Sequence, residues 1–199
     1  MGICLTLHSV SDTNIDKILE SPALIWRLIA IDEPEYYLQE VNKNLKRGFF
    51  SKILGKPERP KVEVVPDLEF FPGENLEDDL DKSWHGIHYC LNQTEHDAKP
   101  PMDFITLGGE SAGDVDVGYG PARLFKYEIV KEIEAALSTI TTENLEKNYN
   151  PSEMEKLDIY PSIWNDEDGF EYIAEYFETI KSFVGKCSKN KLGMALIFC

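Results

Sequence analysis

The closing apolar run, Leu192–Phe198, constrains the fold more than any other segment of the chain. It is too short to cross a membrane, which takes about 18 or more apolar residues. It is also continuous where a half-buried strand would alternate, so it reads as a strand in a sheet's centre, covered on both faces. Residues 2–10 supply a partner, because Ile3, Leu5 and Leu7 alternate with Cys4, Thr6 and His8 at the strand period of two. The N-terminal and C-terminal strands are therefore expected to pair within a small sheet.

Helical periodicity dominates the rest. Ser11 or Asp12 is placed to cap a short helix carrying Ile15, Ile18 and Leu19, and Ser21-Pro22 opens an apolar second one with Leu24, Ile25, Leu28 and Ile29. Pro34 opens a third, with Tyr37, Leu38, Val41 and Leu45 inward. Asn75 is expected to cap a helix over about 76–91, on which Leu80, Trp84, Ile87, His88 and Leu91 share a stripe. Lys126–Leu137 predicts another, with Ile129, Val130, Ile133 and Leu137 inward. A shorter helix capped by Thr142 follows, then one opened after Asn150-Pro151. Gly169–Val184 has the clearest helical spacing, with Gly185 as its C′ residue. Residues 92–121 are rich in Gly, Pro and Asp and read as loop, with one short element near Phe104–Leu107. Residues 47–75 hold one helical turn's worth of apolar residues (Phe49, Phe50, Ile53, Leu54). Gly55-Lys56-Pro57-Glu58-Arg59-Pro60 then breaks the rhythm, so the stretch reads as a surface insertion. The class predicted is α+β, a helix-rich single domain over residues 1–199.

Charge excludes one large class of partner. A formal net charge of −16 over 199 residues repels nucleic acid, whose binding depends on Lys and Arg neutralising phosphates. An acidic surface instead suits solubility and the steering of basic partners inward, so the charge reads either as a well-solvated surface or as fitted to a basic protein partner. The charge is uneven: Lys43, Lys46, Arg47, Lys52, Lys56, Arg59 and Lys61 form a basic stretch, and acids dominate from Glu63 to Asp116. No membrane association is expected, nor export, since the start lacks a basic n-region and an apolar h-region. Cys4, Cys90, Cys187 and Cys199 show no short paired spacing and fit reduced thiols in a cytoplasmic protein.

Several motifs invite a chemistry and fall short of it. Met1-Gly2-Ile3-Cys4-Leu5-Thr6 matches a myristoylation pattern but sits on the predicted strand. His85, His88, Cys90, His96 and Asp97 contain metal-ligand types without the two compact pairs of a zinc site. Asp114-Val115-Asp116-Val117-Gly118 opens like a calcium loop, but its twelfth position is Phe125 and not the bidentate Glu. No metal and no cofactor are expected. No nucleophile-elbow order of Ser, His and Asp is present either.

Two segments remain as candidates. Gly118-Tyr119-Gly120-Pro121-Ala122-Arg123 combines permissive glycines with an arginine placed just before a helix. Its backbone N–H groups could form an anion-holding concavity with Arg123 as the fork; a tight turn whose arginine pairs with a carboxylate is the other reading. Ile159-Tyr160-Pro161-Ser162-Ile163-Trp164-Asn165-Asp166 offers aromatics that wall a pocket or close the core.

These segments together resemble the YfbM-like family, a bacterial domain-of-unknown-function family. The resemblance rests on the Met1-Gly2 strand, Leu80-Asp81-Lys82-Ser83-Trp84-His85-Gly86-Ile87-His88, Gly108-Gly109, Tyr119-Gly120-Pro121-Ala122-Arg123, Met154 and Ile159–Trp164. The helix at 169–184 and the final strand complete it. It implies a compact α+β fold in a bacterial cytosol and brings no reaction or catalytic residue. The functional expectation is a non-catalytic binding or interaction module, for example an immunity-type protein masking a basic partner. The alternative is a small-ligand binder or enzyme taking an anionic metabolite in a cleft of Trp84, His88, Tyr119, Arg123, Tyr160, Trp164 and Asp166, with Arg123 holding the anion and His88 titrating.

Overall fold

A computed structural model describes residues 2–43 and 60–199. The final strand, β5 (Gly193–Phe198), is the middle of a five-stranded antiparallel sheet, and β1 (Leu5–Val10) lies beside it along its whole length, from Leu5 opposite Phe198 to Val10 opposite Gly193. The remaining strands are β2 (Glu77–Asp79), β3 (Glu110–Asp116) and β4 (Pro121–Phe125), giving the order β2-β1-β5-β4-β3. The fold is α+β.

Helices cover both faces, which is why the middle strand has no polar face. The odd-numbered β1 residues Leu5 and Leu7, with Met194 and Leu196, face a core closed by α4 (Trp84–Asn92), α5 (Tyr127–Ser138), α6 (Thr142–Asn148), α7 (Pro151–Lys156) and α8 (Gly169–Lys189). Ala195 and Ile197 face a second core under α1 (Asp12–Glu20), a 3-10 turn at Pro22–Leu24, α2 (Ile25–Ile29) and α3 (Pro34–Asn42). Ser11 caps α1 by accepting from the Asn14 N–H, as its position predicts.

Six expectations change. Residues 76–83 are not helical: Glu77–Asp79 pair with β1, and the helix begins only at Trp84. An acidic Glu-Asp-Asp run has no strand propensity; the free edge of β1 recruits it through ladder hydrogen bonds that local sequence does not report. Residues 92–121 likewise contain β3, an edge strand bent where Gly113 takes φ +59 against Pro22. Arg123 lies within β4 and not at a helix start. Ile129 is 43% exposed, outside the buried stripe of Val130, Ile133 and Leu137. Helix α8 runs through Gly185 to Lys189, because Cys187 in its last turn is buried in the core. The helix capped at 142 is corrected by one residue, Thr141 forming a capping box with Asn144.

Of the 47–75 stretch, residues 60–75 are irregular and tied back to α1. Glu74 is buried and accepts from the Ser11 N–H, the Phe71 N–H and the Asn14 side chain, while Asn14 also donates to the Glu69 carbonyl. The expected turn at 49–54, Leu45 and most of the basic stretch lie outside the described residues.

Candidate functional site

Of the residues nominated from sequence, Trp84, Tyr160 and Arg123 come together, and most of the seven use their polar groups on the chain itself. Trp84 is buried, donates its indole N–H to the Ile3 carbonyl at 3.0 Å, and stacks on Tyr160 with centroids 6.0 Å apart. The Tyr160 hydroxyl accepts from the Ile3 N–H at 2.8 Å. Trp164 is buried against Gly86 and donates to the Ile159 carbonyl. Phe198, not nominated, joins the parts: Trp84 meets its ring edge-on at 4.8 Å, and the Arg123 guanidinium lies 5.4 Å from its centre. Tyr119 is 53% exposed, and Asp166, on the same loop as Tyr160 and Trp164, is exposed.

Arg123 has a structural occupation. Its guanidinium donates to the carbonyls of Phe104, Ile105 and Gly108, so it clamps the loop before β3. Burial lowers its pKa to about 10, which leaves it cationic at neutral pH. His88 is fully buried, with Nδ1 3.3 Å from the Thr106 hydroxyl and 3.4 Å from the Asn92 amide. Burial, then the fields of His85, His96 and Arg123, lower its pKa to about 4, so it is neutral at pH 7.

The glycine turn does make a concavity of N–H groups, and the chain fills it. Asp116 Oδ1 accepts from the N–H of Gly118 at 3.0 Å and of Gly120 at 3.1 Å. Those two bonds hold the Asp116 carboxyl below its usual range. Among the described residues no group of three His, Cys, Asp or Glu is arranged to hold a metal. His85 is occupied structurally, bridging the Glu95 carbonyl and the Tyr160 N–H.

An open groove of about 500 Å³ lies elsewhere, between the 100–110 loop and the start of α5. Its floor and walls include Pro100, Pro101, Phe125 and the exposed Ile129, and its rim carries Asp12, Asp103, Glu110, Glu128 and Glu132. The one lysine lining it, Lys126, pairs with Asp16 at 2.6 Å; that bond, and then the fields of Asp16, Glu110 and Asp12, raise its pKa. Among the described residues neither Glu110 nor Glu132 forms a salt bridge.

Three local devices shape this groove. Arg123 fixes the loop, the Asp12 carboxylate accepts from the Tyr127 N–H at 2.8 Å and seats α5 on α1, and Gly109 crosses the Phe125 ring. At Gly109, φ is +92 and a Cβ would come 2.7 Å from that ring, so only glycine fits. A wider, shallower depression of about 740 Å³ adjoins through Pro100 and is lined by Leu91, Asn92, Asp97, Lys99 and Met102 among others. None of the seven residues nominated from sequence lines either one. The groove depends on a loop and an exposed helical isoleucine meeting in space; the only sequence trace is Glu128-Ile129 and Glu132 one turn apart.

A family model described as a domain of unknown function (DUF1877) matches residues 1–197. The chain belongs to this family. Within the fold it represents, the chain resembles the solved structure of YfbM from Escherichia coli, described as a protein of unknown function. The TM-score is 0.60 at 15% identity, over 98% of this chain and 99% of that one. No curated protein matches the chain. No described helix is long and apolar enough to cross a membrane. For a DUF1877 chain, then, both likenesses describe architecture and neither carries a reaction.

Proposed function

We propose that this protein is a non-catalytic binding module whose acidic groove receives a basic, partly apolar segment of a partner protein. The observation that carries the reading is the groove's composition: five carboxylates line it beside apolar residues, and although Glu128 pairs with Lys131 and Asp12 holds the Tyr127 N–H, Asp103, Glu110 and Glu132 form no salt bridge among the described residues. Carboxylates accept hydrogen bonds from ammonium and guanidinium groups, while Pro101, Phe125 and Ile129 take up the aliphatic stems of the same side chains. The overall charge of −16 supports it by speeding encounter with cationic surfaces. Masking a basic protein, as an immunity-type protein does, is one form of this reading.

The alternative, an anionic metabolite among Trp84, His88 and Arg123, has less support. Arg123 is already bonded to three carbonyls, and the N–H concavity is filled by Asp116.

Fluorescence anisotropy with a labelled peptide alternating lysine and leucine tests the reading, with a glutamate–leucine peptide as control. The basic peptide is expected to bind, and to weaken roughly tenfold between about 0.05 and 0.5 M salt as surface charges are screened. Ile129→Lys and Glu132→Lys, both at exposed positions, are expected to abolish binding. Unchanged binding by both variants, or equal binding of the acidic peptide, would sink it.

A further inference from the structure

Cys4 and Cys199 are 195 positions apart in sequence and directly opposite each other in the fold. The β1–β5 register places Leu5 opposite Phe198, and one step further the two cysteines exchange both backbone hydrogen bonds. The Cys4 N–H donates to Cys199 at 2.8 Å and the Cys199 N–H donates to Cys4 at 3.0 Å. Residues paired in this way have Cα atoms about 5.5 Å apart with side chains on one face. A disulfide needs about 4.4–6.8 Å between Cα atoms, most often 5.5–6 Å.

Access divides the two thiols. Cys199 is exposed and Cys4 is partly buried, its Sγ 3.2 Å from Asp81 Oδ1, to which it donates. Burial, the Asp81 bond and the neighbouring Cys199 raise the Cys4 pKa, which holds it as the thiol at neutral pH. The other two cysteines are inert by comparison, since Cys90 and Cys187 are buried and burial pushes both thiols up to about 12.

We propose that Cys4 and Cys199 are a redox pair, oxidised by a low-molecular-weight disulfide to a cross-strand bond that ties β1 to β5. The Cys199 thiolate attacks one sulfur of the small disulfide, forming a mixed disulfide and expelling one small thiolate. Cys4 then attacks the Cys199 sulfur, its proton passing to the second small thiolate as that leaves. Two protein thiols and one small disulfide give one protein disulfide and two small thiols. The bond also secures the Gly118–Tyr119 turn, because Tyr119 N–H donates to the Phe198 carbonyl and Gly118 packs on Cys199.

The test incubates the full chain with oxidised glutathione and reads peptide mass and thermal melting. The wild type is expected to lose two hydrogens in mass, to yield a linked peptide containing residues 4 and 199, and to melt on the order of 10 °C higher, reversibly with dithiothreitol. Cys4→Ser is expected to stop at the glutathione adduct on Cys199, and Cys199→Ser to gain no cross-link. If the wild type stops at the same adduct as Cys4→Ser, or cross-links only between two molecules, the pair is not a disulfide site.

Discussion

Arg123 illustrates how a side chain suited to a ligand is used on the fold instead. Its guanidinium serves Phe104, Ile105 and Gly108, whose carbonyls would otherwise lack a donor near the groove. Arg123→Met keeps the stem and removes the donors, and should cost about 2–4 kcal/mol in urea unfolding. Arg123→Lys should recover only part of that loss, because an ammonium cannot span the same carbonyls as a planar fork. Asp116 makes the same point from the other side, closing with its own carboxylate the concavity that two glycines create. Residue types were legible in these places, but which partner each would take was not. A hydrogen-bonding group binds whatever the folded chain brings within reach, and the partners of Arg123 lie 15–19 positions away.

At the scale of elements, the segments read correctly are those whose periodicity serves a core: β1, β5, α1 and most of α5 and α8. Those missed are β2 and β3 at the sheet's two edges and the short β4 between β3 and β5, all held by pairing with a neighbour's backbone that local periodicity does not report. Gly86 shows why one helix position is closed to every other residue. A Cβ there would come 2.5 Å from the Trp164 ring and 2.9 Å from Ile173, where α4 meets the 159–166 loop and α8. Gly86→Ala should therefore destabilise by about 1–3 kcal/mol, although alanine is the better helix former. A circular-dichroism melt checks this: a rise in Tm for Gly86→Ala would mean that Trp164 repacks freely.

The whole molecule registers acid through its buried histidines. His8, His85 and His88 each have a pKa lowered chiefly by burial, so the folded state favours their neutral forms. An unfolded histidine takes up its proton near pH 6.5, whereas folded His88 does so only at about 4. Stability is thus expected to fall as pH drops from about 6.5 to 4, with His88 accounting for roughly 3 kcal/mol, and its share to level off below that range. Asp81 and Asp116, whose pKa values are lowered, add a loss at lower pH as they take up protons. Urea midpoints measured across this range for the wild type and His88→Gln provide the check, the variant showing a shallower decline.

By itself the sequence determined the class of fold. An apolar strand at one end, an alternating one at the other and amphipathic helices between them admit few arrangements that bury every apolar face. It also determined the sign of the net charge. Tertiary structure alone decided where the surface becomes a groove, which sheet edges recruit acidic segments, and that Cys4 stands opposite Cys199. Burial of apolar area depends on local pattern and is legible along the chain. Register, edge pairing and cavity shape depend on residues distant in sequence, and they exist only once the sheet has closed.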